Sequence, residues 1–213
     1  MFVMQKRVLA PVATLTGVVL FAAATYLLKL PPFEVQQETI KSKDVCESLG
    51  PSASAASALR QVLPSEANYS FRDTPGTRVG DNDDSYTSSC FVSGEEKIIL
   101  SVRTEMMLAE PSKDWIESTV LDGRGSSRKL EPFVADGTGV ASPRLAAVLV
   151  PCTSAGRIPG GSYSLSVLVD LKESGESSET KAQKSLTRLA LSSAKFAHEK
   201  ARCDLPAKLP DAP

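Results

Sequence analysis

One histidine, one tryptophan and no excess of either charge define this chain first by what is scarce. A lone imidazole, His198, gives no basis for a histidine-rich metal centre and leaves acid–base catalysis little to draw on. With 24 basic and 25 acidic side chains in 213 residues, the net charge is −1, so no global positive field recruits nucleic acid. The cysteines contain no C-x-x-C, which removes the zinc ribbon and the thioredoxin-type redox pair. No G-x-S-x-G marks a nucleophile elbow, and no cysteine closely follows the apolar N-terminal run to carry a bacterial lipid anchor.

Charge is missing most conspicuously from Val8 to Leu28. As a helix this run is about 31 Å long, the thickness of a bilayer core. Lys6 and Arg7 precede it, Tyr26 and Lys29 close it, and Pro11 sits in its first turns, where a missing amide costs little. The reading is a single transmembrane helix with a cytoplasmic tip at 1–7 and everything after residue 28 on the far side. Cleavage near Ala24, after the Ala22-Ala23-Ala24 run, is the alternative and releases a secreted domain. A buried core helix fits less well, because the run lacks a polar stripe. Ala13 and Gly17, four residues apart, offer a close-packing pair for a second such helix.

Cys46, Cys90, Cys152 and Cys203 all follow that segment, and their number is even. Across a membrane this pattern reads as two structural disulfides. Three connectivities are open. Cys90 and Cys152 each close an expected strand that turns into a long alternating one, while Cys46 and Cys203 each flank an expected helix. Joining each strand cysteine to the helix nearer in sequence gives Cys46–Cys90 and Cys152–Cys203.

The prolines at 31 and 32 and the polar stretch after them read as a linker over 29–44. The domain then spans 45–204, with a flexible tail at 205–213. Leu49, Ala53, Ala56, Leu59 and Leu63 recur at helical spacing until Pro64 stops them. Strands are expected at 69–73, 86–92 and 97–107. In the last of these Ile98, Leu100, Val102, Thr104 and Met106 alternate with a wet face of Lys97, Ser101, Arg103 and Glu105, Ile99 being the exception. A loop at 74–85 separates the first two. A short helix carrying Trp115 is expected over 112–120, and a weak strand over 129–135. The apolar run at 145–152 reads as a central strand, and 162–172 alternates cleanly. A long amphipathic helix over 178–201 presents Ala182, Leu186, Leu189, Ser193, Phe196 and Ala197. The fold class is therefore α+β, a mostly antiparallel sheet with helices on one face, preceded by the transmembrane helix.

Side chains able to carry chemistry are thinly spread. His198, near the end of the last helix, reads as a surface or capping residue. The acidic run Asp81-Asn82-Asp83-Asp84 lacks the glycine and glutamate of a calcium loop and reads as a solvated turn. Ser178 and Lys181 form an S-x-x-K, but Ser178 stands where a helix cap belongs. Arg124, Arg128 and Lys129 make a small basic patch close to Trp115 in sequence, able to touch an anionic envelope polymer or a lipid headgroup. No catalytic, cofactor-binding or metal-binding residue is assigned.

Two stretches carry a resemblance: LAAVLVPC at 145–152, preceded by Gly137-Thr138-Gly139-Val140-Ala141-Ser142, and the closing Ala201-Arg202-Cys203. Together they resemble uncharacterised membrane-anchored or secreted extracytoplasmic proteins of actinobacteria. A looser likeness is to the cysteine-containing envelope lipoproteins of that phylum, from which the missing lipobox cysteine departs. In that looser group an early cysteine before a helix pairs with one in a strand, which implies Cys46 with Cys90 here. The resemblance carries no catalytic residues.

The expected function is that of a membrane-anchored extracytoplasmic binding or accessory protein. Its partners are the membrane through 8–28 and another envelope protein, a wall polymer or a lipid, with no nucleic acid and no cofactor. A secreted or anchored hydrolase with an unrecognised site is the alternative.

Overall fold

The computed structural model describes residues 39–80, 82–121 and 129–210. The anchor expected over 8–28 lies outside them. No helix among the described residues is long and apolar enough to cross a membrane.

The alternating segments form the middle of a seven-stranded sheet. Lys97–Leu108 (β3) pairs with Thr87–Gly94 (β2) on one side and with Gly161–Leu171 (β7) on the other. Tyr69–Thr74 (β1) forms the edge beyond β2. Beyond β7 come Leu145–Ile158 (β6), Thr138–Ser142 (β5) and Glu131–Phe133 (β4). Every pairing is antiparallel, in the order β1-β2-β3-β7-β6-β5-β4.

Three of these strands depart from the expectation. β5 falls in a glycine- and serine-containing stretch without periodic signal. β6 runs past Cys152 to Ile158, through register shifts between Pro151 and Ile158, so neither it nor β2 ends at its cysteine. β4 shrinks to three residues; Pro132 has no amide to donate, which suits an edge.

Ser52–Val62 (α1) and Glu179–Lys200 (α3) cover one face, here called inner. Small residues let them approach closely: Ala55, Ala56 and Ala58 on α1 and Ala190 and Ala194 on α3 are almost wholly buried. Leu59, Leu186 and Leu189 are 0% exposed and fill the space above Val92, Leu100, Val102, Val167 and Val169. Each such side chain contributes about 1.5–3 kcal/mol by leaving water. Some face assignments differ from the periodicity: Ala53 is exposed, and Phe196 is only partly covered, with Lys200 Nζ 5.2 Å from its ring centroid. On β3, Ile98 is exposed and Ile99 buried, beside the register shift between Val92 and Ser93, and Ser101 is covered rather than wet.

The third helix, Ser112–Trp115 (α2), continues into a π turn at Ile116–Val120, in which Leu121 N–H donates to Ile116 O. It lies on the opposite, outer face, so the helices do not all share one side. Trp115 is 0% exposed there.

Both ends of the domain are held more tightly than their composition suggests. Ile40, within the stretch expected to be linker, is 3% exposed and its carbonyl accepts from Arg60 Nη1 at 2.7 Å. In the tail expected to be flexible, Leu205 N–H donates to Cys152 O, Lys208 N–H donates to Asp136 Oδ2, and Ala207 and Leu209 pack on the core.

Candidate functional site

The register makes the outer face readable row by row. One row runs Arg72, Phe91, Ser101, Asp170, Leu145, Ser142 from β1 to β5. The next runs Thr74, Ser89, Arg103, Leu168, Ala147, Val140, Pro132 across the whole sheet. Apart from Phe91, each row is polar on β1–β3, and each is apolar by β6, with Leu145 or Ala147. Trp115 sits on the apolar half with Val140, Leu145, Ala147 and Leu149, and Met107 and Leu168 pack at its margin. The polar half has no helix over it among the described residues.

That open half carries two exposed arginines around one half-buried ring. The Arg103 guanidinium carbon lies 5.6 Å from the centroid of Phe91, in cation–π contact. Arg72 is directly opposite Phe91 in the β1–β2 register. Its neighbours Phe71 and Asp73 point inward. Phe71 packs on the core, and the Asp73 carboxylate accepts from Ser48 Oγ and from the Glu47 amide, both at 2.6 Å. No ion pair within 4 Å engages Arg72 or Arg103 among the described residues. Asp170, two strands beyond Phe91 in the first row, pairs with Lys172. Sequence reasoning placed Arg103 on a wet strand face but missed the trio. Its members are up to 31 positions apart by their numbers, and only the register brings them together.

The residues singled out from sequence occupy other places. His198 Nε2 is 2.8 Å from Leu205 O, so that nitrogen carries a proton and the ring pins the tail. The Asp83 carboxylate accepts from Ser85 N–H and Oγ and from Val79 N–H; the Ser85 bonds hold its pKa below the ordinary value. Its oxygens are thus used inside the turn. Asp84 accepts instead from the hydroxyl of Tyr163, whose pKa is raised by burial and then by that carboxylate. Ser178 stands at the N-cap of α3, but its side chain makes no capping hydrogen bond. Lys129 Nζ is 3.6 Å from Glu131 Oε1, and Arg124, Arg128 and Asp81 lie outside the described residues. Among the described residues, no group of three or more His, Cys, Asp or Glu side chains is arranged to hold a metal ion.

The loop between β1 and β2 is clamped to the helix end. Arg78 is 4% exposed; its Nε–H donates to Asp83 O at 2.7 Å and its Nη1–H to Ala201 O at 3.2 Å. A guanidinium at a helix C-terminus also meets the negative end of the helix dipole. Tyr86, closing the loop, is buried, and its hydroxyl pKa is pushed up by burial, partly offset by a Ser88 hydrogen bond.

All four cysteines are bridged, Cys46 to Cys90 and Cys152 to Cys203. The first bridge joins the chain just before α1 to the inner face of β2, and the second joins the chain just after α3 to β6. Each fastens a helix end to the sheet. Two structural disulfides belong to an oxidising compartment and make this an extracytoplasmic or secreted type of domain. Comparison with protein-family models, with curated proteins and with solved structures finds no match to this chain.

Proposed function

We propose that this chain is a single-pass membrane protein that presents its disulfide-linked domain outside the cell and acts there by binding, as an accessory component of the envelope. The observation that carries the reading is the pair of bridges Cys46–Cys90 and Cys152–Cys203, which supports an oxidising compartment outside the cytoplasm. The charge-free run from Val8 to Leu28 supplies the means of export and retention. Binding rather than catalysis is favoured by how the reactive side chains are used. His198 holds the tail and Asp83 holds its own turn, whereas Arg72 and Arg103 stand exposed without a carboxylate partner among the described residues. The resemblance to extracytoplasmic proteins of actinobacteria points the same way.

Crosslinking on intact cells with a reagent that does not cross membranes, followed by capture of the full chain, tests this. The reading expects the chain in the membrane fraction, joined to an envelope component. A chain protected from the reagent, or one recovered alone and showing hydrolytic activity, would refute it.

A further inference from the structure

Resting on that reading, we infer that the open half of the outer face is a docking strip for an anionic glycopolymer, one carrying phosphate or carboxylate groups among sugar hydroxyls. Charge complementarity is the first argument. The domain as a whole is mildly acidic, yet this strip presents two guanidinium groups, flanking one ring, that have no carboxylate partner among the described residues. The Arg103 guanidinium lies over the Phe91 ring, and no ion pair among the described residues engages it, so its N–H groups can serve a phosphate or carboxylate. Ser89, half-buried and directly opposite Arg103 in the register, adds a hydroxyl that suits a sugar.

The shape of the site argues for a polymer over a free anion. β1 and β3 are two strand spacings, about 10 Å, apart, and nothing described roofs the strip. An exposed charge contact contributes little by itself. A lone phosphate would be held only weakly, whereas a chain of repeating anions rebinds at high effective concentration. Glu105, two residues along β3 from Arg103, is the one acidic group of β3 on this face and weakens attraction locally. That gives the account a sign to test in the opposite direction.

The experiment is affinity electrophoresis of the full chain in neutral detergent at physiological salt. The gels contain poly(glycerol phosphate), polygalacturonate or neutral dextran. Retardation is expected with one or both anionic polymers and none with dextran. Arg72→Ala and Arg103→Ala should each weaken it about three- to fivefold. Arg103→Lys should lose most of the same effect, because an ammonium cannot replace the planar fork. Glu105→Gln should strengthen it by about two- to threefold. Lys181→Ala, the same charge change on exposed α3, should change it less than about twofold. No retardation by either anionic polymer, or equal losses in the Arg72, Arg103 and Lys181 variants, overturns the inference. So does equal or stronger binding, with the same arginine dependence, to a single-stranded oligonucleotide or to vesicles of anionic phospholipid. Each of those results leaves the extracytoplasmic reading standing, because the crosslinking on intact cells decides that separately.

Discussion

Trp115 donates its indole Nε1–H to Ser166 Oγ at 2.9 Å, joining the only tryptophan to the outer face of β7. Both partners are buried, so the bond carries the usual asymmetry: little net gain when made, a real cost when half of it is removed. Ser166→Ala should lower stability by about 1–3 kcal/mol by leaving the indole unpaired. Trp115→Ala should cost about 3–5 kcal/mol through the cavity left above Ala147 and Leu149. Urea unfolding followed by far-ultraviolet circular dichroism measures both. If the Trp115→Ala loss falls below 1 kcal/mol, this helix does not cover the sheet.

Two glycines hold turns that no other residue fits. Gly137 has φ +121°, and a Cβ there would meet Leu149 O at 2.1 Å; Gly76 has φ +63°, with Thr87 O at 1.9 Å. In each case the obstacle is backbone of a paired strand, which cannot give way. Gly137→Ala and Gly76→Ala should each destabilise by at least about 2 kcal/mol. Gly80→Ala, with open space around it and no unusual φ, should be neutral or slightly stabilising. Thermal unfolding of the three variants checks the contrast.

Acid sensitivity should trace to two carboxylates. Asp204 accepts from Ser154 Oγ and N–H beside the second disulfide, and those bonds lower its pKa from 3.8; Ser85 does the same for Asp83. A depressed folded-state pKa means that the stabilisation is fully present above the unfolded value. It is lost as pH falls through the lower folded value. The domain should therefore lose stability below about pH 4. Asp204→Asn should be less stable than the parent at pH 7, the gap closing toward pH 2. A gap that widens on acidification would exclude this origin.

Much of this fold is legible in the sequence, and the failures have physical causes. β3 and β7 announce themselves because polar and apolar residues alternate along both, so every second residue from Leu100 to Met106 and from Tyr163 to Leu171 is inward. β5 is hidden because Gly139, Ala141 and Ser142 are small enough to be covered without being strongly apolar. The tail has an alternation of its own, with Leu205, Ala207 and Leu209 partly covered and Pro206 and Lys208 exposed, but the prolines disguise it as a frayed end. The cysteine pairing follows from which helix lies nearer each strand. The Arg72, Phe91 and Arg103 strip follows from nothing local, since it depends on the registers of two strand pairs.

The bridges close loops with sequence separations of 44 and 51 residues. Loops of that size restrict the unfolded chain by about 4 kcal/mol each. Replacing Cys46 and Cys90 together by alanine should cost stability of this order, as should replacing Cys152 and Cys203. Denaturant titration of the two double variants gives the values, and losses under 1 kcal/mol in both would show that the bridges are incidental to the fold.

The claim that the domain lives outside the cell rests on those same four cysteines. Protein taken directly from cells, with thiols blocked at lysis and digested without reduction, tests it most directly by mass spectrometry. Bridged peptides joining Cys46 to Cys90 and Cys152 to Cys203, with no blocked thiol, are the predicted result. Four blocked thiols at those positions would contradict the account.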